Sequence, residues 1–298
     1  MFRFLVFILI ASISFSGCHY FTGINENGKP IENIVISKTD STLVDSMMPY
    51  CYHVVSRFRK GWPMQGSAFY LDYKKKVYLF SALHNFTGID PESNKLLADL
   101  PGNPKDLMVW QSFEDRVNWL NYYKFVKYDS FAYAILKDSF LAYKKLPDAG
   151  KDYKLYSNDN ALFLGARTNN TQGNNYDIGA YDVSDSFPMP RNILGYDPKW
   201  NSEMIHVGDS IFYWSFLKEG DHLAEMPNMF VGKIIDMPSF GNQYITSDVF
   251  SRPGSSGAAV FKISNHRVSL IGVITRGNAD KNIVYISPIK ETLALFKL

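Results

Sequence analysis

From Tyr52 onward, short apolar runs alternate with turn-forming residues: YHVVSRF, GSAFYLDY, VYLFSAL, DLMVWQSF, YYKFVKY and AYAILK. Each has the length of a strand and is rich in Val, Tyr and Phe, which fit a pleated, half-buried surface. Lys74 to Lys76, between FYLDY and VYLFSAL, read as a solvated hairpin tip. After Lys145 the pattern changes, and the stretch to Met204 is dense in Asn, Asp, Gly and Pro. That composition predicts long loops joining a few short strands. Strand signals resume at HVGDSIFYWSFL and continue through MFVGKIIDM, AAVFKI, VSLIGVITRG and IVYISPI. In the closing IKETLALFKL, apolar residues recur at helical spacing, with Ser287 placed to cap and Pro288 at the first helical position. The pattern predicts an all-β chain with a C-terminal helix.

Composition adds limits. An apolar fraction of 46% in 298 residues is ample for a buried core, and an aromatic fraction of 15% suits sheets. Lys and Arg number 31 against 29 Asp and Glu, with no long basic run, so charge gives no reason to expect a nucleic-acid partner. The two cysteines and six histidines show no ligand spacing, and neither a metal nor another cofactor is expected. No repeat of fixed period is visible.

The first residues, MFRFLVFILIASISFSGC, combine one positive charge at Arg3, an apolar core from Phe4 to Ile13 and small residues before a cysteine. This fits a secretory signal over residues 1–17, too short for a permanent membrane span. Phe15-Ser16-Gly17-Cys18 resembles a bacterial lipobox, with Phe15 where Leu is usual. The resemblance implies an exported lipoprotein whose first mature residue, Cys18, carries a diacylglyceryl group and anchors the chain to a membrane of a bacterium, in the periplasm or at the cell surface. Only Cys51 then remains, so no intramolecular disulfide is available. Residues 18–49 are polar and turn-rich and read as a tether to a domain over 50–298.

Ser251 to Phe261, SRPGSSGAAVF, joins backbone freedom to two adjacent hydroxyls ahead of an apolar run. A loop between strands explains it; so does a serine nucleophile at Ser256. Of the six histidines only His84 is framed, ending VYLFSALHNF after a strand, with GSAFYL upstream from Gly66. The succession of Gly66-Ser67, small, aromatic strand, then Ser81-Ala82-Leu83-His84 resembles the chymotrypsin-like, trypsin-fold serine peptidases, where GSGF and LTAAH carry the general base. TSDVFSRPGSSGAAVF resembles the HtrA/DegP-like branch, matching at Ser247, Asp248, Pro253, Gly254, Ser255, Ser256, Gly257 and Ala258. LIGVITRG and VGDSIFYWSFL parallel two further segments of that family. The PDZ module that such proteases append is not expected after the 42 residues that follow Ser256.

The resemblance implies two antiparallel β-barrels, about 50–145 and 205–298, with an irregular insert about 146–204, and an endopeptidase acting on a protein or peptide through an acyl-enzyme. His84 would be the base, Ser256 the nucleophile, and the backbone N–H groups of Gly254 and Ser256 the oxyanion hole. The family's acid stands in D-[IVLF]-A-x-[LV]. KYDSFAYAILK, Lys127 to Lys137, puts Ser130 or Ala132 at that position, and Asp129 reaches it only through a bulge. Asp129 is the expected acid, against a solvated strand-end aspartate. A substrate pocket is expected at Phe250, Thr275, Arg276 and Gly277; with no acid at its floor, a small or apolar residue rather than Arg or Lys is the expected preference. The other reading is a catalytically impaired relative that binds peptides or a partner in the same cleft. An esterase fits less well, because Ser256 lacks the Gly-x-Ser-x-Gly strand-to-helix setting.

Overall fold

Alternating apolar runs become strands where their inward faces can meet, and the computed structural model organises them as two antiparallel sheets. It describes residues 18–21, 34–58, 64–87, 104–110, 121–124, 142–145, 152–157, 163–168, 177–184, 190–219, 222–223, 227–237, 245–247, 249, 253–278 and 281–298. A hairpin of β1 (Cys18–Phe21) and β2 (Ile34–Ser37) leads into helix α1 (Lys38–Met47). Then come β3 (Tyr52–Phe58), β4 (Met64–Tyr73), β5 (Lys76–Ala82), the short helix α2 (Leu83–Thr87), β6 (Pro104–Trp110), β7 (Asn121–Lys124), β8 (Ala142–Lys145), β9 (Asp152–Ser157), β10 (Phe163–Thr168), β11 (Asp177–Asp182) and β12 (Leu194–Gly195). These strands form a ten-stranded sheet in the order β7-β6-β3-β4-β5-β11-β10-β9-β8, with β12 added parallel to β4.

The second sheet is a closed barrel of β13 (Ser210–Ser215), β16 (Asn228–Asp236), β17 (Ile245–Ser247), β18 (Ala259–Ser264), β19 (Arg267–Asn278) and β20 (Ile283–Pro288). The small ribbon β14 (Lys218–Glu219) and β15 (His222–Leu223) branches from it, and α3 (Ile289–Leu295) closes the chain. The expected all-β layout of two antiparallel sheets with a terminal helix is therefore present. The barrel interior is filled by Ile211, Tyr213, Ile234, Val260, Ile271, Ile274 and Ile286, while a second cluster joins Phe69 and Phe80 of the first sheet to Phe212, Phe261 and Leu293. That shared cluster fixes the two sheets against each other.

Local chemistry accounts for the turns. Lys74 and Lys75, at the tip between β4 and β5, both adopt positive φ, the geometry that matches the twist of a two-residue hairpin. Three boundaries differ from the sequence reading. Residues 38–47 of the expected tether are helical: Val44 is fully buried in the shared core, and its carbonyl accepts a hydrogen bond from Trp214 Nε1 at 2.9 Å. Burying one such side chain contributes about 1.5–3 kcal/mol toward holding the helix on the domain. The middle stretch is not an insert but supplies β9, β10 and β11 to the first sheet. Ser287 does not cap α3; Pro288 takes the cap position, and the Ser287 hydroxyl donates to Thr275 Oγ1 at 3.5 Å.

Candidate active site

His84 is the second residue of the turn of helix that follows β5, and β5 pairs antiparallel with β11 so that Ala82 faces Ile178. One step further along that ladder brings Asp177 level with the start of α2. His84 Nδ1 lies 2.5 Å from Asp177 Oδ2, with the side chains only 13% and 3% exposed. An ionised carboxylate can only accept, so Nδ1 carries a proton, and in the neutral ring Nε2 is then the acceptor. The carboxylate on the imidazole is therefore Asp177. Asp129 and the AYAILK strand lie outside the described residues.

The family's acid motif finds its nearest match in residues 127–137 and does not single out Asp177. Asp177-Ile178-Gly179 offers the same order of acid, branched residue and small residue, but it follows Asn174-Asn175 in a turn-rich stretch that reads as loop. Its placement depends on the long-range pairing of β11 with β5, which no local pattern announces.

Ser256 sits in the tight turn 253–257, before β18. Gly254 and Gly257 both have positive φ, at 102° and 92°. A Cβ on Gly257 would collide with the Ser67 carbonyl and the Ser81 hydroxyl, so this position must be glycine for space as well as conformation. The turn is held from both sheets. The Gly254 carbonyl accepts from Ser67 Oγ at 2.9 Å, the Ser256 carbonyl from Ser67 N–H at 2.8 Å and Asn85 Nδ2 at 2.9 Å, and Gly257 N–H donates to the Ile274 carbonyl at 2.6 Å. Ser67 and Asn85 belong to β4 and α2, so Ser256 is bonded directly to the residue beside His84. Among the described residues no hydrogen bond engages the Ser256 hydroxyl or the backbone N–H groups of Gly254 and Ser256.

Ser67 is the hub of a buried polar cluster. Its hydroxyl also accepts from Phe216 N–H at 3.2 Å, and its carbonyl accepts from Ser81 Oγ at 2.7 Å. Cys51 lies in the same region, its thiol donating to the Trp214 carbonyl at 3.2 Å, and burial pushes that thiol well above its ordinary range. It is a packed, un-ionised group. Of the expected pocket residues, Phe250 lies outside the described residues. Thr275, Arg276 and Gly277 follow Ile274 on β19, next to the Ser256 turn. The Thr275 hydroxyl is directed inward to the Tyr285 carbonyl at 3.3 Å, and the Arg276 guanidinium lies 5.4 Å from the centre of the Tyr285 ring.

Among the described residues no group of His, Cys, Asp and Glu is arranged to hold a metal ion, and no helix is long and apolar enough to cross a membrane. No protein-family model and no curated protein matches the chain. Among solved structures it is similar to the crystal structure of a serine endoprotease from Yersinia pestis, with 11% identity and a TM-score of 0.45 over 84% of this chain and 62% of that one. It is also similar to an inactive mutant form of Rv3671c from M. tuberculosis, with 11% identity and a TM-score of 0.43 over 88% of this chain and 94% of that one. The chain thus spans less than two thirds of the length of the Yersinia pestis structure.

Proposed function

We propose that this protein is a serine endopeptidase in which Ser256 is the nucleophile, His84 the general base and Asp177 the acid that orients it. The observation that carries the reading is the 2.5 Å pairing of Asp177 with His84 Nδ1, on a helix bonded through Asn85 to the Ser256 peptide. A serine hydroxyl is a weak nucleophile at neutral pH and needs a base to take its proton as it attacks. Nε2 of His84 would accept that proton and then deliver it to the leaving amine, breaking the C–N bond and leaving an acyl group on Ser256. Water, activated by the same imidazole, would release the acid product. The oxyanion of each tetrahedral intermediate would be stabilised by the open N–H groups of Gly254 and Ser256, and one such donor contributes roughly 3–4 kcal/mol to lowering the barrier.

Export and lipid attachment at Cys18 belong to the same proposal and are supported by the sequence of residues 1–18. Mass spectrometry of the membrane-extracted protein would show cleavage before Cys18 and a diacylglyceryl adduct on it. The catalytic reading is tested by treating purified protein with a fluorophosphonate probe. We expect a covalent adduct that Ser256→Ala abolishes; a folded wild type without Ser256-dependent adduct would instead leave the cleft as a peptide- or partner-binding groove.

A further inference from the structure

We infer that Asn85 is a positioning residue that fixes the separation of nucleophile and base, an inference that rests on the peptidase reading above. Asn85 directly follows His84 in α2 and is 1% exposed. Its Nδ2 donates to the Ser256 carbonyl at 2.9 Å and to Ser81 Oγ at 3.0 Å. A carbonyl oxygen only accepts, so the amide must present its NH2 end to Ser256. Ser81 passes the connection on, donating to the Ser67 carbonyl at 2.7 Å, while Ser67 N–H gives the Ser256 oxygen its second donor at 2.8 Å.

The peptide between Ser256 and Gly257 is consequently gripped at both ends. Its oxygen is held by two donors, Ser67 N–H of β4 and Asn85 Nδ2 of α2, and its N–H by the Ile274 carbonyl of the closed barrel. Beyond Ser256 on the other side, the Ser255 carbonyl accepts from Ala258 N–H at 3.1 Å. With both flanking peptides held, the direction of the Ser256 Cβ is set, and the hydroxyl retains only rotation about χ1. On the opposite end of the link, the imidazole of the neighbouring residue is held by Asp177. Asn85 is thus the side chain that spans from the element carrying the base to the nucleophile's own backbone. The space it occupies is reserved for it: a Cβ on Gly66 would run into the Asn85 amide.

An apolar side chain of similar size would fill that space but leave the Ser256 carbonyl with one donor from the first sheet. Misplacement of reacting groups by about 1 Å costs on the order of 100-fold in rate. The role therefore predicts a loss in the acylation step with little change in substrate affinity.

The experiment compares wild type, Asn85→Leu and the near-isosteric Asn85→Asp, each shown to be folded by near-ultraviolet circular dichroism at the assay temperature. The readouts are the second-order rate of fluorophosphonate labelling, and kcat and KM on a peptide substrate. We expect Asn85→Leu to label and turn over roughly 10- to 100-fold more slowly at every pH, with KM within about twofold. Asn85→Asp should be similarly slow when its carboxyl is ionised, because a carboxylate repels the Ser256 oxygen. Its rate relative to wild type should recover as pH falls through the pKa of that carboxyl, since the protonated form again donates a hydrogen bond. Variants that fold, lose melting temperature and still label at the wild-type rate with no pH-dependent ratio would reduce Asn85 to a packing residue and overturn the inference, while leaving the peptidase reading intact. A folded wild type that never labels would overturn both.

Discussion

Among the described residues, a polar cluster between the sheets and another on the wall of the closed barrel are finished differently. In the barrel wall, the Lys262 ammonium is 2.8 Å from Asp209, 3.2 Å from Glu203 and 2.7 Å from the Met204 carbonyl. Three donors meet three acceptors, and Glu203 is further engaged by Ser264 Oγ at 2.9 Å. Burial disfavours the charged lysine, but Asp209 and Glu203 outweigh it and raise its pKa above the ordinary value. Around Ser256, by contrast, Asp177 pairs with His84 on one side of the ring, and among the described residues the Ser256 hydroxyl and the backbone N–H groups of Gly254 and Ser256 join no hydrogen bond. A closed cluster joins parts of a fold. An open one has capacity for a ligand, and that capacity is the physical mark of a site.

The contrast breaks into separable effects. Ser256→Ala should lower peptide hydrolysis by several orders of magnitude, up to about 10^6 in kcat where catalytic groups act as a unit. Because that hydroxyl joins no hydrogen bond among the described residues, its removal should change unfolding free energy by no more than about 0.5 kcal/mol in urea titrations. Lys262→Met should behave in the opposite way. It leaves Glu203 and Asp209 uncompensated and should cost about 3–5 kcal/mol of stability, with the labelling rate per folded molecule unchanged. If labelling fell while stability held, the two clusters would not be independent and the distinction would fail.

The smallest effect is expected at Asp182, at the end of the strand that Asp177 begins. Burial raises the Asp182 carboxyl, but hydrogen bonds from Lys76 at 2.7 Å and from Ser184 hold it below the usual carboxylate range. A folded pKa below the unfolded one means the pair stabilises above the unfolded value and loses its contribution as pH falls through the folded one. Since the Lys76 side chain is 57% exposed, Asp182→Asn should cost only about 0.2–1 kcal/mol at neutral pH. Thermal melts of variant and wild type should converge in acid; a gap that persists there would mean the loss is packing rather than charge.

Sequence patterning made much of this legible where the signal was local. YHVVSRF is β3 residue for residue, and the apolar runs after Gly208 fall on the barrel strands β13, β16, β18, β19 and β20. The Gly-Ser run and the strand-end histidine could be picked out because their chemistry needs a fixed short frame. Elements whose identity depends on partners were not legible. Helix α1 carries few apolar residues and reads as tether until Val44 finds the shared core. Strands β9 to β11 are short and flanked by Asn and Gly, so their sheet position comes from pairing with β8 and β5 rather than from periodicity. Asp177 was hidden for the same reason, and Asn85, beside the histidine, gives no sign in one dimension that it reaches Ser256, 171 positions away.

The central claim is that Asp177 orients the imidazole that activates Ser256, and labelling kinetics of Asp177→Asn beside Asp129→Asn test it most directly. The account predicts that fluorophosphonate labelling at pH 8 falls by about 10^4 for Asp177→Asn, because the wrong tautomer of His84 is then favoured, and is unchanged for Asp129→Asn. Wild-type labelling by Asp177→Asn, with the loss appearing at Asp129→Asn, would contradict it.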